Sequence, residues 1–111
     1  MAVNVRVLIP AKIAESSQTT QYSASGVSAI IDKFTATNYS GTAATLSVNL
    51  VTAFDNAGNQ NLIVKSKTLL PSETYTFPEL VGHVVASGGS ISTIAGTGSA
   101  INIRCSGREI S

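Results

Sequence analysis

The sequence has little charge and little reactive chemistry. Charged residues make up 12% of its 111 residues, seven basic and six acidic, where about a quarter is usual. The basic residues are scattered along the chain and form no stripe that would neutralise a phosphate backbone. No apolar run approaches the ~18 residues of a membrane helix. We therefore expect neither a nucleic-acid nor a membrane partner.

The residues that most often carry catalysis or bind metals are scarce. One cysteine and one histidine are present, so there is no intrachain disulfide and no second ligand to complete a metal site. His83 has no catalytic partner in the sequence, and no G-x-S-x-G motif is present. The loop Asp55–Asn61 superficially resembles a calcium loop, but it has one carboxylate and no closing acid. We expect a protein that is not an enzyme and uses no metal or cofactor.

The residues that are abundant favour strands. Ser and Thr number 27, Ala 13, and Val and Ile ten each, as in half-buried strands joined by polar turns. About eight short segments of this kind, with turns every eight to twelve residues, predict an all-β sandwich or barrel. Residues 1–111 are interpreted as a single antiparallel β-sandwich domain. Cys105, which alternates with Ile101 and Ile103, is expected to be a small buried hydrophobe.

The N-terminal segment predicts an extended strand over residues 1–10. Val3, Val5, Val7 and Ile9 alternate with Asn4, Arg6 and Leu8, and Pro10 is expected to end the strand. The segment has no signal-peptide pattern. Synthesis in a host cytoplasm is therefore expected.

Two strand pairs are predicted from alternation and turn residues. Val27–Tyr39 and Ala44–Leu50 flank Ser40-Gly41-Thr42 and are interpreted as one long hairpin. Ser90–Ala95 and Ser99–Ser106 are interpreted as the last pair. Lys65 and Lys67 share a strand face and are interpreted as solvated or edge-strand lysines, since lysines on an edge block unwanted pairing.

The composition also bears on stability. With three Phe, three Tyr and no Trp, the core must come mainly from Val, Ile and Ala and be thin. Burial per residue is then modest. A weakly charged surface favours association of a free protein at high concentration. Both properties suit a protein that works inside an assembly, where a partner adds stability.

Two stretches carry a resemblance to a known family. They are Gly26–Leu50, with its T-A-T-N-x-S-G-T-A-A-T segment, and Leu69–Gly107, and together they cover about two thirds of the chain. The chain resembles the capsid decoration proteins, also called cement or staple proteins, of short-tailed bacteriophages of the epsilon-fifteen type. The resemblance is to turn and strand patterns, without any site chemistry.

The resemblance implies a jelly-roll-like sandwich on the exterior of the virion capsid. Such a protein binds the outer surface of the shell, often as a homodimer, and staples neighbouring major capsid proteins together against internal DNA pressure. No catalytic or cofactor residues carry over from this family.

Candidate contact residues lie in the N-terminal strand and at loop positions. Strand Asn4–Ile9 is a candidate for adding to the sheet edge of a neighbour. Apolar residues in loops are candidate anchors, although each of them, by the alternative interpretation, folds inward to plug an end of the sandwich. The expected interface set is Asn4, Arg6, Leu8, Phe54, Leu69 and Leu70.

Other functional classes stay open. A tail, fibre or collar module that binds carbohydrate or a receptor would share the fold, but sugar sites usually expose aromatic platforms and few aromatics can be spared here. A small enzyme ranks third, far behind the other two.

Overall fold

The computed structural model describes residues 2–111. Within them lie nine strands and one short 3-10 turn, Asn59–Asn61. The strands are β1 (Val3–Ile13), β2 (Thr19–Ser23), β3 (Ser28–Asn38), β4 (Ala44–Val51), β5 (Leu62–Leu69), β6 (Thr74–Tyr75), β7 (Val84–Val85), β8 (Ser90–Ala95) and β9 (Ile101–Ile110).

The strands form two antiparallel sheets that pack face to face. The first sheet has the order β1-β9-β3-β6, with β7 also pairing with β3, and the second sheet has the order β2-β8-β4-β5. Only β4–β5 and β6–β7 are consecutive strands within one sheet; at the other connections the chain crosses to the opposite sheet. This order is that of a jelly roll. It confirms the expected single antiparallel sandwich.

The two predicted strand pairs are wrong. The strands β3 and β4 lie within a residue or two of the expected bounds, but β3 belongs to the first sheet and β4 to the second. The strands β8 and β9 are likewise in opposite sheets. Alternation with period two marks the buried face of a strand in either sheet, so it does not identify the strand's hydrogen-bonding partner.

The Asn38 side chain stabilises the segment in which the chain passes from β3 in the first sheet to β4 in the second sheet. Its side chain is fully buried. Its Nδ2 donates to the carbonyl oxygens of Thr42, at 2.8 Å, and Leu69, at 2.9 Å. Its Oδ1 accepts from the backbone N–H of Ser40 at 2.9 Å. The amide thus satisfies backbone groups that a crossing chain, unlike a hairpin, cannot pair with itself.

The first strand runs past Pro10, contrary to prediction, and ends at Ile13. Because β1 is an edge strand, Pro10 removes no hydrogen bond that the sheet needs. Irregularities between Val7 and Ile9, and between Ile9 and Lys12, shift the register with β9. As a result Leu8 and Ile9, which are adjacent, are both buried.

The core is built mainly from aliphatic side chains, as expected, but it also has an aromatic centre. Phe34 and Phe77 are fully buried and meet edge to face, with ring centroids 5.2 Å apart. Tyr75 packs against Phe77 in the same manner at 4.7 Å. Cys105 is fully buried, which confirms its expected role as a small hydrophobe.

Gly107 permits the close approach of β1, β9 and β3. A methyl group at this position would lie 2.1 Å from the carbonyl oxygen of Ile30 and 2.8 Å from Leu8 Cδ1. We expect Gly107→Ala to lower the free energy of unfolding by about 1–3 kcal/mol, because the backbone of β3 must shift.

Chemical denaturation measures this effect, with Gly41→Ala as the matched control. A methyl group on Gly41 would meet nothing within 4 Å. A Gly107→Ala variant as stable as the Gly41→Ala variant would show that the close approach of β3 and β1 to β9 does not require glycine at this position.

Candidate interaction surfaces

Two of the six expected contact residues belong to the core. Leu8 is 4% exposed and Leu69 is fully buried. Leu8 continues the face of Arg6, which turns toward Gly107 and the core, and the irregularity after Val7 brings Ile9 to the same side. Leu69 is the last residue of β5 and pairs with Ala44. Their prediction as interface residues is therefore wrong.

Phe54 and Leu70, in contrast, are exposed. The Phe54 side chain is fully accessible and Leu70 is 60% exposed. Phe54 has a left-handed backbone with φ of +66°, which is uncommon for a bulky residue. The alternative that these two side chains fold inward to plug the sandwich is wrong.

These two residues lie at opposite ends of the sandwich. Leu70 follows the pair formed by Leu69 and Ala44, the first residue of β4, whereas Phe54 comes three residues after Val51, the last. An eight-residue strand spans roughly 25 Å at ~3.3 Å per residue. One molecule therefore presents an exposed apolar side chain at each end.

The loop that carries Phe54, residues 52–61, is held by buried amides. Asn49 Nδ2 donates to the Gly58 carbonyl oxygen at 3.0 Å and to Asn61 Oδ1 at 2.8 Å. The backbone N–H of Asn56 donates to Asp55 Oδ1 at 2.8 Å. This bond, together with one from Gln60, lowers the pKa of Asp55 below its usual value. The network holds the part of the loop that follows Phe54, residues 55–61.

Arg6 belongs to a polar link between the two sheets. Its Nε donates to Glu109 Oε1 at 3.1 Å, and the Tyr22 hydroxyl of the second sheet donates to Glu109 Oε2 at 2.5 Å. Partial burial raises the pKa of Tyr22 well above its ordinary value, and the hydrogen bond to Glu109 makes the second largest contribution. Arg6 and Asn4 are exposed, but Arg6 already has this structural partner.

A row of three apolar residues and one arginine crosses the outer face of the first sheet, and none of the four was among the expected contact residues. Val5, Arg108, Ile30 and Val84 lie opposite one another across β1, β9, β3 and β7. Val5 is 85% exposed and Val84 is 58% exposed. Alternation identifies an apolar face of β1, but that face points to solvent while the sheet covers the core with its other side. This distinction needs the tertiary structure.

Charged residues elsewhere are distributed as exposed side chains and edge residues. Lys65 and Lys67 lie on β5, an edge strand of the second sheet, which confirms the edge-lysine interpretation. Lys67 Nζ also sits 4.4 Å from the centroid of the Tyr75 ring. Lys33 and Arg104 line a shallow depression of about 310 Å³ on the first sheet.

Residues 2–111 show no group of three or more His, Cys, Asp or Glu side chains that could hold a metal ion. His83 is exposed, and its carbonyl oxygen accepts the backbone N–H of Ile31 at 3.0 Å. In the same residues, no helix is long and apolar enough to cross a membrane.

Comparisons with known proteins are informative about the fold. No protein-family model and no curated protein matches the sequence. The chain is similar to a chain in the solved structure of infectious bursal disease virus, Gx strain, with a TM-score of 0.54 and 12% sequence identity. The match covers 97% of this chain and 32% of that chain, so this protein spans about a third of its length. At this identity the match shows a shared fold.

The Phe54 loop provides a test of the local structure. We expect Asn49→Ala to lower the free energy of unfolding by about 1–3 kcal/mol, because the Gly58 carbonyl and the Asn61 amide lose a buried partner. Amide hydrogen exchange over residues 52–61 should become faster. Asn59→Ala, in the same loop but exposed, is the control. Unchanged exchange in the Asn49→Ala variant would show that these amides do not hold the loop.

Proposed function

We propose that this chain is a structural protein of a virus particle, a capsid decoration protein of the kind found on short-tailed bacteriophages. It binds the exterior of the capsid shell and staples neighbouring major capsid proteins together. The observation that carries the proposal is the pair of exposed apolar residues, Phe54 and Leu70, at opposite ends of one jelly roll. The shared fold with a chain of a virus structure is consistent with this proposal.

The two-ended arrangement suits a staple. A molecule that contacts one coat subunit through Phe54 and the next through Leu70 makes its second contact intramolecularly, at high effective concentration. Each contact can then be weak while the bridge as a whole is strong. Such a bridge resists separation of the coat subunits when packaged DNA presses on the shell from inside.

The surface of the protein also suits an assembled role. The net charge is +1 with only 12% charged residues, and the first sheet exposes valines on its outer face. Contacts with the major capsid protein, and with a second copy of the chain, cover apolar surface of this kind. The proposed protein is made in the host cytoplasm, joins the virion, and acts without an enzymatic activity, a nucleic-acid partner or a membrane.

The contact residues can be tested by binding to capsids. Capsids that lack the protein are mixed with purified variants, and occupancy is measured by quantitative gel after sedimentation. We expect Phe54→Ala and Leu70→Ala each to raise the Kd for the capsid about tenfold or more, because truncation of an interface anchor costs more than ~1.4 kcal/mol of binding free energy. The double variant should bind least.

The control is Val81→Ala, which shortens an exposed apolar residue outside both loops. Circular dichroism establishes that each variant is folded. Full occupancy by the Phe54→Ala and Leu70→Ala variants would remove these two residues from the interface.

A further inference from the structure

Most sheet edges of this molecule are poorly suited to pairing with another strand. β5 carries two lysines, and Ser66 between them has a left-handed φ of +48°. β2 has five residues and a break in register between Thr20 and Tyr22. β6 and β7 have two residues each. Lysines, irregular backbone and short length are the features by which proteins block edge-to-edge association.

The first half of β1 lacks these protections. Residues Val3–Val7 pair with Ile110–Ser106 of β9 without a break, and the irregularities and Pro10 come only after Val7. All five side chains are exposed. Among residues 2–111, the only strand that pairs with β1 is β9, so the opposite edge of β1 has no partner there.

The hydrogen-bond pattern shows which backbone groups face outward. Ala2 and Ser111 exchange both backbone hydrogen bonds, at 3.2 and 3.0 Å. In an antiparallel ladder, bonded pairs alternate with non-bonded pairs. Asn4 and Arg6 therefore bond to β9, whereas the N–H and C=O groups of Val3, Val5 and Val7 point away from the sheet. This edge offers three donors and three acceptors in a regular row.

We propose that this edge pairs with the same edge of a second copy of the chain, antiparallel, about a two-fold axis that passes through Val5. The inference deepens the proposed function by specifying how two copies join, and its role on the capsid rests on that function. The pairing itself is a property of the isolated protein.

The sequence of β1 is self-complementary in this register. Val5 lies opposite Val5 of the partner subunit, and Val3 lies opposite Val7 of the partner subunit. Every outward-facing valine thus meets a valine, and β-branched pairs of this kind stabilise antiparallel sheets. The six outward-facing backbone groups on each strand form six hydrogen bonds across the axis.

This register also keeps like charges from lying opposite each other. On the other side of the strand, Arg6 faces Asn4 of the partner subunit and keeps its own Glu109 at 3.1 Å. A shift that centres the pairing on Arg6 would place two arginines opposite each other, and like charges in that position are destabilising. A shift that centres it on Asn4 would lose the valine partner of Val7. The register centred on Val5 avoids both faults.

The pairing would join the two first sheets into one continuous sheet. A two-fold interface requires that one patch be complementary to itself, and the valine row meets that requirement. The joined sheet would also place the exposed valines of both copies side by side. The dimer carries two copies of the Phe54 and Leu70 loops, which doubles the contacts available to the capsid.

The first test is Val5→Pro, measured by sedimentation equilibrium. The variant removes the central N–H that points to the partner, while an edge strand tolerates proline, as β1 already does at Pro10. We expect the unaltered protein to have twice the chain mass of 11.4 kDa. Val5→Pro should weaken self-association by on the order of 100-fold. Val5→Thr, which keeps the backbone donor and the β-branch, should remain dimeric.

A second measurement does not depend on the folding of the proline variant. The native Cys105 is buried and burial raises its pKa to about 12, so an introduced thiol is the reactive one. A short bifunctional maleimide should link two copies of the Val5→Cys variant. The Val84→Cys control, exposed on the same sheet but near its opposite edge, should not be linked.

A monomeric unaltered protein, a Val5→Pro dimer as tight as the original, or equal cross-linking of both cysteine variants would overturn the inference. A β1-paired dimer that never binds capsids would support the pairing and contradict the proposed function instead. The two proposals can thus fail separately.

Discussion

A single buried amide, that of Asn38, joins the parts of the chain on which the sandwich depends. It stands at the end of β3 in the first sheet and bonds to the carbonyl oxygens of Thr42 and Leu69. Thr42 leads into β4 and Leu69 ends β5, both of the second sheet. An unpaired polar group in this position would carry a large desolvation penalty, so the bonds fix where the chain changes sheets. The inward face of β3 in the first sheet then packs against the inward face of β4 in the second sheet.

The consequence is a molecule with an exposed apolar side chain at each of its two ends. At one end, the Asn38 crossing and the β5–β6 turn position Leu70. At the other end, the network of Asn49 and Asn61 positions Phe54. The backbone N–H of Leu70 donates to Glu73 Oε1 at 2.7 Å, and Phe54 precedes a loop segment whose polar groups are bonded within the protein. A partner that covers them therefore has little loop-ordering entropy to overcome.

The sequence was sufficient for the position of most strands, although not for the end of β1, and insufficient for the partners of the strands. The alternation of Ala44, Leu46 and Val48 places β4 correctly, and the alternation around Cys105 places β9, because a two-layer sandwich imposes the same period on every strand. That uniformity is why the assignment of β3 and β4 to one hairpin failed. In the structure, the buried Asn38 side chain marks the point where the chain crosses between the sheets. The burial of this residue could not be predicted from the sequence.

The candidate contact residues also divide into those that the sequence could indicate and those that depend on the tertiary structure. Phe54 and Leu70 could be named as candidates because large apolar residues in polar or turn segments have no alternating neighbours to pack with; their exposure is observed, and their contacts stay a prediction. Leu8 could not be placed, since it shares a face with Asn4 and Arg6 and the sequence does not tell that this face, and not the valine face, turns toward the core. The valine face of β1 was equally hidden, because an exposed apolar face and a buried one have the same sequence pattern. Only the folded structure, which shows the side of the first sheet that covers the core, distinguishes them.

Whether this chain decorates a capsid shell is decided by its copy number and radial position in purified particles. Cryo-microscopy and quantitative gels give both. We expect many copies distributed over the outside of the shell, at the junctions between coat subunits. A few copies at one vertex would instead indicate a tail or collar protein, and absence from particles would contradict a virion role altogether.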